Sequence, residues 1–344
     1  MKQLRVTLSG LALMAAGLGL SVSPANAACE AATAEFGMSR IVDIDTTHGP
    51  IFGAMTNRSR EPSFLKPNEV VLTFDDGPIP WITKSILDTL DKYCAKATFF
   101  SVGRMALAYP ASVKDVMARG HTLGSHTYSH PFNMQRMNID AAAAEIERGI
   151  AAVSTAAGAP VAPFFRFTGL ADSNRLLGYL QTRSIAAFTV DVVSNDSYTA
   201  NANKLAEHTL AEIAKTQGGI VLFHDIKAAT TKALPIILSR LKASGYTVVH
   251  MTAKTTVTPM AYAMHYVAPK LTKTPQAQEM GPMPTLPETP AVTRQITEVA
   301  PDARDRTEPS GKASPHKASR KRKAHSELPR SIVEAEADLA HTAN

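Results

Sequence analysis

Between Glu69 and His250, short apolar runs alternate with longer stretches in which apolar positions recur at helical spacing. That alternation is the signature of repeated βα units packed around a parallel sheet. The spacing predicts strands over Val70–Phe74, Thr98–Val102, Thr122–Gly124, Phe164–Phe165, Ala186–Val190, Gly219–Phe223 and Thr247–His250. Helices are predicted between them over Thr83–Tyr93, Ser112–Arg119, Asp140–Ala157, Ser173–Gln181, Lys204–Lys215 and Thr231–Ser244. Asp140 and Ser173 are candidate N-caps, and Gly158 and Gly245 suit helix ends. The expected fold is α/β, with the strands closing into a barrel. No internal repeat and no nucleotide-binding glycine pattern interrupts this order.

The two ends of the chain differ from the middle. Lys2 and Arg5 precede the mostly apolar stretch Val6–Leu20, and Ala25-Asn26-Ala27 forms a small-x-small site, so residues 1–27 read as a cleaved secretory signal peptide. The apolar stretch is shorter than the roughly 20 residues that span a bilayer, which disfavours an uncleaved anchor and predicts no transmembrane span in the mature form. A lipoprotein acylated at Cys29 would lack the usual upstream Leu. Residues 28–67 are read as an N-terminal extension and 68–255 as the catalytic domain. From residue 269 to 344 the composition turns to Pro, Thr, Glu, Lys and Ala with almost no aromatics, a tail predicted to be disordered because it cannot bury enough apolar surface to offset chain ordering. The formal net charge of +6 belongs mainly to that tail, at Lys312, Lys317 and Arg320–Lys323. It therefore describes a solvated charge run rather than a nucleic-acid partner. The chain has two cysteines, Cys29 and Cys94, which export would bring to an oxidising compartment. They are read as a disulfide pair, with Cys94 as a buried small side chain the alternative.

The polar residues gather where the predicted strands end. Asp75 and Asp76 follow Val70–Phe74, His126 and His130 follow Thr122–Gly124, Arg166 follows Phe164–Phe165, Asp191 follows Ala186–Val190, and His224 follows Gly219–Phe223. In a βα barrel the carboxyl ends of the strands share one face, where active sites are built. Two histidines four apart reach one ion if the segment turns helically. A carboxylate from another strand end completes a His, His, Asp facial set with open positions. The segment lacks the intervening Glu of an H-E-x-x-H site, so the base must come from elsewhere. In Thr73-Phe74-Asp75-Asp76-Gly77-Pro78 the turn signal after the doublet lets one carboxylate bind the metal and the other accept a proton from water.

Thr73–Pro78, the His126/His130 pair and Leu222-Phe223-His224 together resemble the signature motifs of the polysaccharide deacetylase family, carbohydrate esterase family 4 or NodB-homology domain. The resemblance covers residues 68–251, with the motifs in family order. It implies a distorted (β/α)7-8 barrel, Asp75 as general base, Asp76, His126 and His130 as metal ligands, and His224 as general acid. Arg166-Phe167-Thr168-Gly169 is similar to the family's arginine motif, which implies that Arg166 orients Asp75 through a bidentate pair. The Asp-Trp motif has no tryptophan here. Asp191 and Asp196 both qualify to support His224, and Asp196 matches the family aspartate if Ser197 takes the tryptophan's place.

The resemblance implies a metal-dependent N-deacetylase acting on an N-acetylated polysaccharide or oligosaccharide, and the signal peptide implies export to the periplasm or beyond. Zinc is the expected ion, with cobalt, nickel or iron compatible with the same ligands. An O-acetyl esterase, a non-sugar amide hydrolase, and a carbohydrate-binding homologue with decayed chemistry are the competing readings.

Overall fold

Strand β3 (Glu69–Asp75) is buried along its whole length, and its two faces divide the core. Val70, Leu72 and Phe74 enter the apolar layer beneath the helices, while Val71 joins an inner cluster with Phe100, Phe164, Phe188, Ile220, Leu222 and Val249. Period-two alternation sends Thr73 and Asp75 to that same inner face. A parallel sheet covered on both sides requires such near-continuous apolar runs.

The computed structural model describes residues 38–271. The expected signal peptide, Cys29 and the tail beyond residue 271 lie outside the described residues; no free cysteine occurs within them. β3 pairs in parallel with β9 (Gly218–His224) along its full length and with β4 (Thr98–Ser101). From β4 the sheet runs to β5 (Thr122–Ser125), β6 (Phe164–Phe165) and β7 (Ala186–Phe188), again all parallel. The chain then passes from β7 into β8 (Val192–Val193), which pairs with β9 and so leads back to β3. β10 (Thr247–Ala253) lies beside the start of β3 and carries β1 (Met38–Ile44) on its other edge, while β2 (Ile51–Phe52) pairs with β7. The result is an α/β fold, a distorted barrel of parallel strands.

The helices are α1 (Pro80–Lys92), α2 (Gly103–Ala108), α3 (Pro110–Ala118), α4 (Ile139–Ala157), α5 (Asn174–Thr182), α6 (Ala202–Thr216), α7 (Ala228–Ala243) and α8 (Ala261–Leu271). Ser173 caps α5 by accepting from the Leu176 N–H, and Gly158 ends α4 at a φ of 75°. Asp140 does not cap α4: Asn138, two residues earlier, accepts from the Asp140 N–H at 2.8 Å. The apolar spacing predicts none of β1, β2 and β8. Two are only two residues long, and β1 is fixed by its distant partner β10 rather than by a local pattern. Two segments of the expected N-terminal extension, Met38–Ile44 and Ile51–Phe52, are thus part of the sheet. α8 also runs through Pro269 to Leu271, past the predicted start of the tail. Among the described residues, no helix is long and apolar enough to cross a membrane.

Candidate active site

Strand register assembles the site. Asp75 stands opposite His224 across the β3–β9 pair and opposite Phe100 across β3–β4. The His126 N–H bonds the Ser101 carbonyl at the end of β4, and the Arg166 N–H bonds the Ser125 carbonyl at the end of β5. Adjacent strand ends therefore present His224, Asp75, His126 and Arg166 in sequence around one rim.

Strand alternation alone would send Asp75 and Asp76 to opposite faces. Asp76 instead has a φ of 78°, a left-handed conformation unusual for a residue with a Cβ, and the twist brings both carboxylates to the same site. Asp225 fixes the turn that follows. Its carboxylate accepts from the Gly77 N–H at 2.9 Å and from the Thr83 hydroxyl at 2.7 Å. A Cβ on Gly77 would lie only 2.1 Å from that carboxylate, so glycine is required there. Burial pushes the Asp225 carboxyl up to about 7 against those hydrogen bonds.

The His126–His130 segment is not helical. It is a tight loop with Thr127 and His130 at φ of 66° and 63°, and it sets the two imidazole centroids 5.0 Å apart. His126 donates from Nδ1 to the Arg166 carbonyl at 2.8 Å, which leaves the Nε2 lone pair for the site. Glu145 on α4 accepts from the Ser129 N–H and hydroxyl at 2.8 and 3.0 Å. The first N–H groups of α2, at Gly103 and Arg104, bond the Thr127 and Tyr128 carbonyls. α4 approaches so closely that a Cβ on Gly149 would stand 2.6 Å from the Thr127 backbone.

His130 Nε2 lies 3.0 Å and His126 Nε2 3.4 Å from Asp76 Oδ1. Neither approach has hydrogen-bond geometry, and Oδ1 is buried without a partner. The three side chains offer ligand atoms all within 4.8 Å of one another. Atoms bound about 2.0–2.2 Å from a shared ion stand roughly 3.0–3.5 Å apart, so the donor set and its spacing fit a divalent cation. Burial opposes the Asp76 charge, yet His126, His130 and the His224 charge hold its carboxyl well below the usual range.

Arg166 is fully buried with its guanidinium 4.3 Å above the Phe100 ring. Nη1 donates to Asp75 Oδ1 and to the Thr73 hydroxyl, each at 2.8 Å. Nε and Nη2 donate instead to the Phe188 and Thr189 carbonyls at 3.2 and 3.4 Å. The contact with Asp75 is therefore made by one donor rather than by a bidentate fork. It leaves Asp75 Oδ2 facing His126 Nε2 at 3.9 Å.

Asp196, not Asp191, reaches the histidine. Its Oδ1 is 2.7 Å from His224 Nδ1, and its Oδ2 accepts from the His224 N–H at 2.8 Å and the Thr230 hydroxyl at 2.7 Å. Burial disfavours the imidazolium, but Asp196 outweighs it and His224 is pushed up to about 10. Its Nε2 stands 3.9 Å from Asp76 Oδ2. Asp191 instead accepts from the Ala54 and Ile220 N–H groups at 2.9 and 2.8 Å, tying the loop after β2 to β9. Sequence patterning singles out none of Thr73, Thr230, Glu145 and Asp225 as supports. Only Thr73 carries a readable signal, two residues before Asp75 on the same strand face.

Residues 65–186 match the family profile described as polysaccharide deacetylase. The chain is 32% identical over 177 residues to a peptidoglycan-N-acetylglucosamine deacetylase, PgdA, of Listeria monocytogenes, a match covering 52% of this chain and 36% of that protein. It is 28% identical over 197 residues to a chitooligosaccharide deacetylase of Azorhizobium caulinodans, covering 52% of this chain and 90% of that protein. Among solved structures, the Bdellovibrio bacteriovorus peptidoglycan deacetylase Bd3279 superposes with a TM-score of 0.58 at 34% identity, over 64% of this chain and 61% of that one. The chain thus spans only about a third of the Listeria relative's length.

Proposed function

The chain belongs to the polysaccharide deacetylase family, and we propose that it is a metal-dependent hydrolase that removes N-acetyl groups from a cell-envelope or chitin-like polysaccharide, releasing acetate. One observation carries this reading: Asp75, fixed by Arg166, and His224, fixed by Asp196, flank the Asp76, His126, His130 cluster from two sides. A divalent ion held by those three residues would polarise an acetamide carbonyl and lower the pKa of water from 15.7 towards about 7. Two imidazoles and a carboxylate suit zinc best, with cobalt, nickel or iron also accommodated.

Asp75 serves as general base. Arg166 occupies its Oδ1, so Oδ2 is the atom that takes the proton from the attacking water. His224 serves as general acid: Asp196 keeps it protonated and aims Nε2 into the site, where it gives its proton to the departing nitrogen. The amide C–N bond breaks, leaving acetate and a free amino sugar. Arg166 and Asp196 act through these two groups as positioning residues. Residues 68–255 form the catalytic domain, completed by β1 and β2, and residues 1–27 are the export signal that places the enzyme in the periplasm or outside the cell.

The experiment is acetate release after chelation and metal add-back, measured across chitin oligosaccharides, peptidoglycan, an O-acetylated polymer and a simple acetamide. The reading expects activity on an N-acetylated sugar polymer, lost with the metal and restored by zinc. Activity confined to O-acetyl esters or to non-sugar amides, or activity indifferent to chelation, contradicts it.

A further inference from the structure

Water contact by large apolar side chains forfeits burial energy, and where they gather they mark contact surfaces. Six such side chains are exposed among the described residues: Ile41, Met55, Trp81, Tyr198, Tyr262 and Met264. Three of these lie in segments that leave the ends of strands on the site side of the sheet. Trp81, 42% exposed, lies in the first turn of α1, which begins where the Asp75–Pro78 turn delivers the chain from the site end of β3. The next residue, Ile82, is buried, so the helix anchors there and leaves the indole outside. Tyr198, 51% exposed, is two residues beyond Asp196. Met55, 43% exposed, sits in the loop after β2, its N–H bonded to the Val190 carbonyl at 3.0 Å.

In the strand order β3-β4-β5-β6-β7-β2, the segments carrying Trp81 and Met55 follow the first and last of these strands, with the strands that lead to His126 and Arg166 between them. Beside Met55 a cleft of about 380 Å³ is lined by Thr56, Asn57, Arg58 and Asp172. A pyranose ring has an apolar C–H face and a hydroxyl edge. The first suits an indole plane, and the second suits a cleft of amide, guanidinium and carboxylate groups.

We propose that Trp81 is a stacking platform for a pyranose ring neighbouring the unit that loses its acetyl group, so that several sugar units lie across the mouth from Trp81 towards the cleft beside Met55. The substrate class rests on the deacetylase reading above. The binding claim is tested separately from it, because Trp81 is the chain's only tryptophan and its fluorescence reports this position alone.

The full metal-loaded chain is titrated with N-acetylglucosamine oligosaccharides of one to six units while tryptophan emission and acetate release are followed. The expected result is a saturable emission change for the longer oligosaccharides and little for the monosaccharide. Trp81→Ala should raise KM on the tetrasaccharide about five- to tenfold with a much smaller change in kcat, and Trp81→Phe should restore most of the loss. Emission that stays constant while acetate release saturates overturns the proposal, as does an unchanged KM in Trp81→Ala. A saturable emission change with no acetate released supports the platform and counts against the deacetylase reading, so the two fail separately.

Discussion

Arg166 illustrates what one residue costs and does. A guanidinium with no exposed surface is stable inside the barrel only because Asp75, the Thr73 hydroxyl and the Phe188 and Thr189 carbonyls accept from it. Arg166→Met leaves Asp75 buried beside an apolar chain and is expected to destabilise the fold by about 3–5 kcal/mol. The double variant Asp75→Asn/Arg166→Met should recover part of that loss, a coupling that denaturant titration of the four-member cycle reads directly. Asp196→Asn tests the other side of the site. It removes the charge that keeps His224 protonated, and kcat is expected to fall about 10²- to 10⁴-fold. The metal content of that variant should stay unchanged by elemental analysis.

At the scale of elements, the sequence shows which strand ends carry polar side chains, because apolar runs broken by Asp, His or Arg are visible without partners. It does not show how the His126–His130 loop is held. A helical turn is the local expectation, but contacts from distant elements impose the observed loop, through Glu145 and Gly149 on α4 and the start of α2. Such support is nonlocal and leaves no periodic trace. The same holds for β1 and β2, whose partners lie some 200 and 136 positions away in register, and for Asp225, whose role emerges only once Gly77 is packed against it. Asp196 and Asp191 both follow the same predicted strand, and although the motif match favours Asp196, only the fold decides which reaches His224. If the Glu145 contact orients the histidine loop, Glu145→Ala should weaken metal binding about 10- to 100-fold, read by competition with a chromophoric chelator. At saturating metal its kcat should change far less.

Across the whole molecule, the end of the barrel away from the site carries a second polar cluster. His121 accepts at Nδ1 from the Ala97 N–H at 3.1 Å, and His250 Nε2 lies 2.9 Å from the Thr122 hydroxyl. That hydroxyl donates to the Met251 carbonyl at 2.6 Å, so His250 is the donor in their contact. Burial, with the Lys96 charge adding to it, pushes His250 down to about 4 and His121 well below its usual value. A depressed histidine is neutral in the folded state, and the stability this gives is fully present above the ordinary value near 6.5. It is lost as the pH falls from there towards about 4, on the order of 3 kcal/mol for His250 alone. The denaturant midpoint should therefore drop across that window, and less steeply in His250→Gln. The proposed mechanism makes the reaction at the other end depend on Asp75, and the most direct measurement of that claim is acetate release from an N-acetylglucosamine tetrasaccharide by zinc-loaded protein, wild type beside Asp75→Asn. Steady release by the wild type and loss of at least about a hundredfold in the folded, zinc-retaining variant is the predicted result; an Asp75→Asn protein that still releases acetate at the wild-type rate would contradict the account.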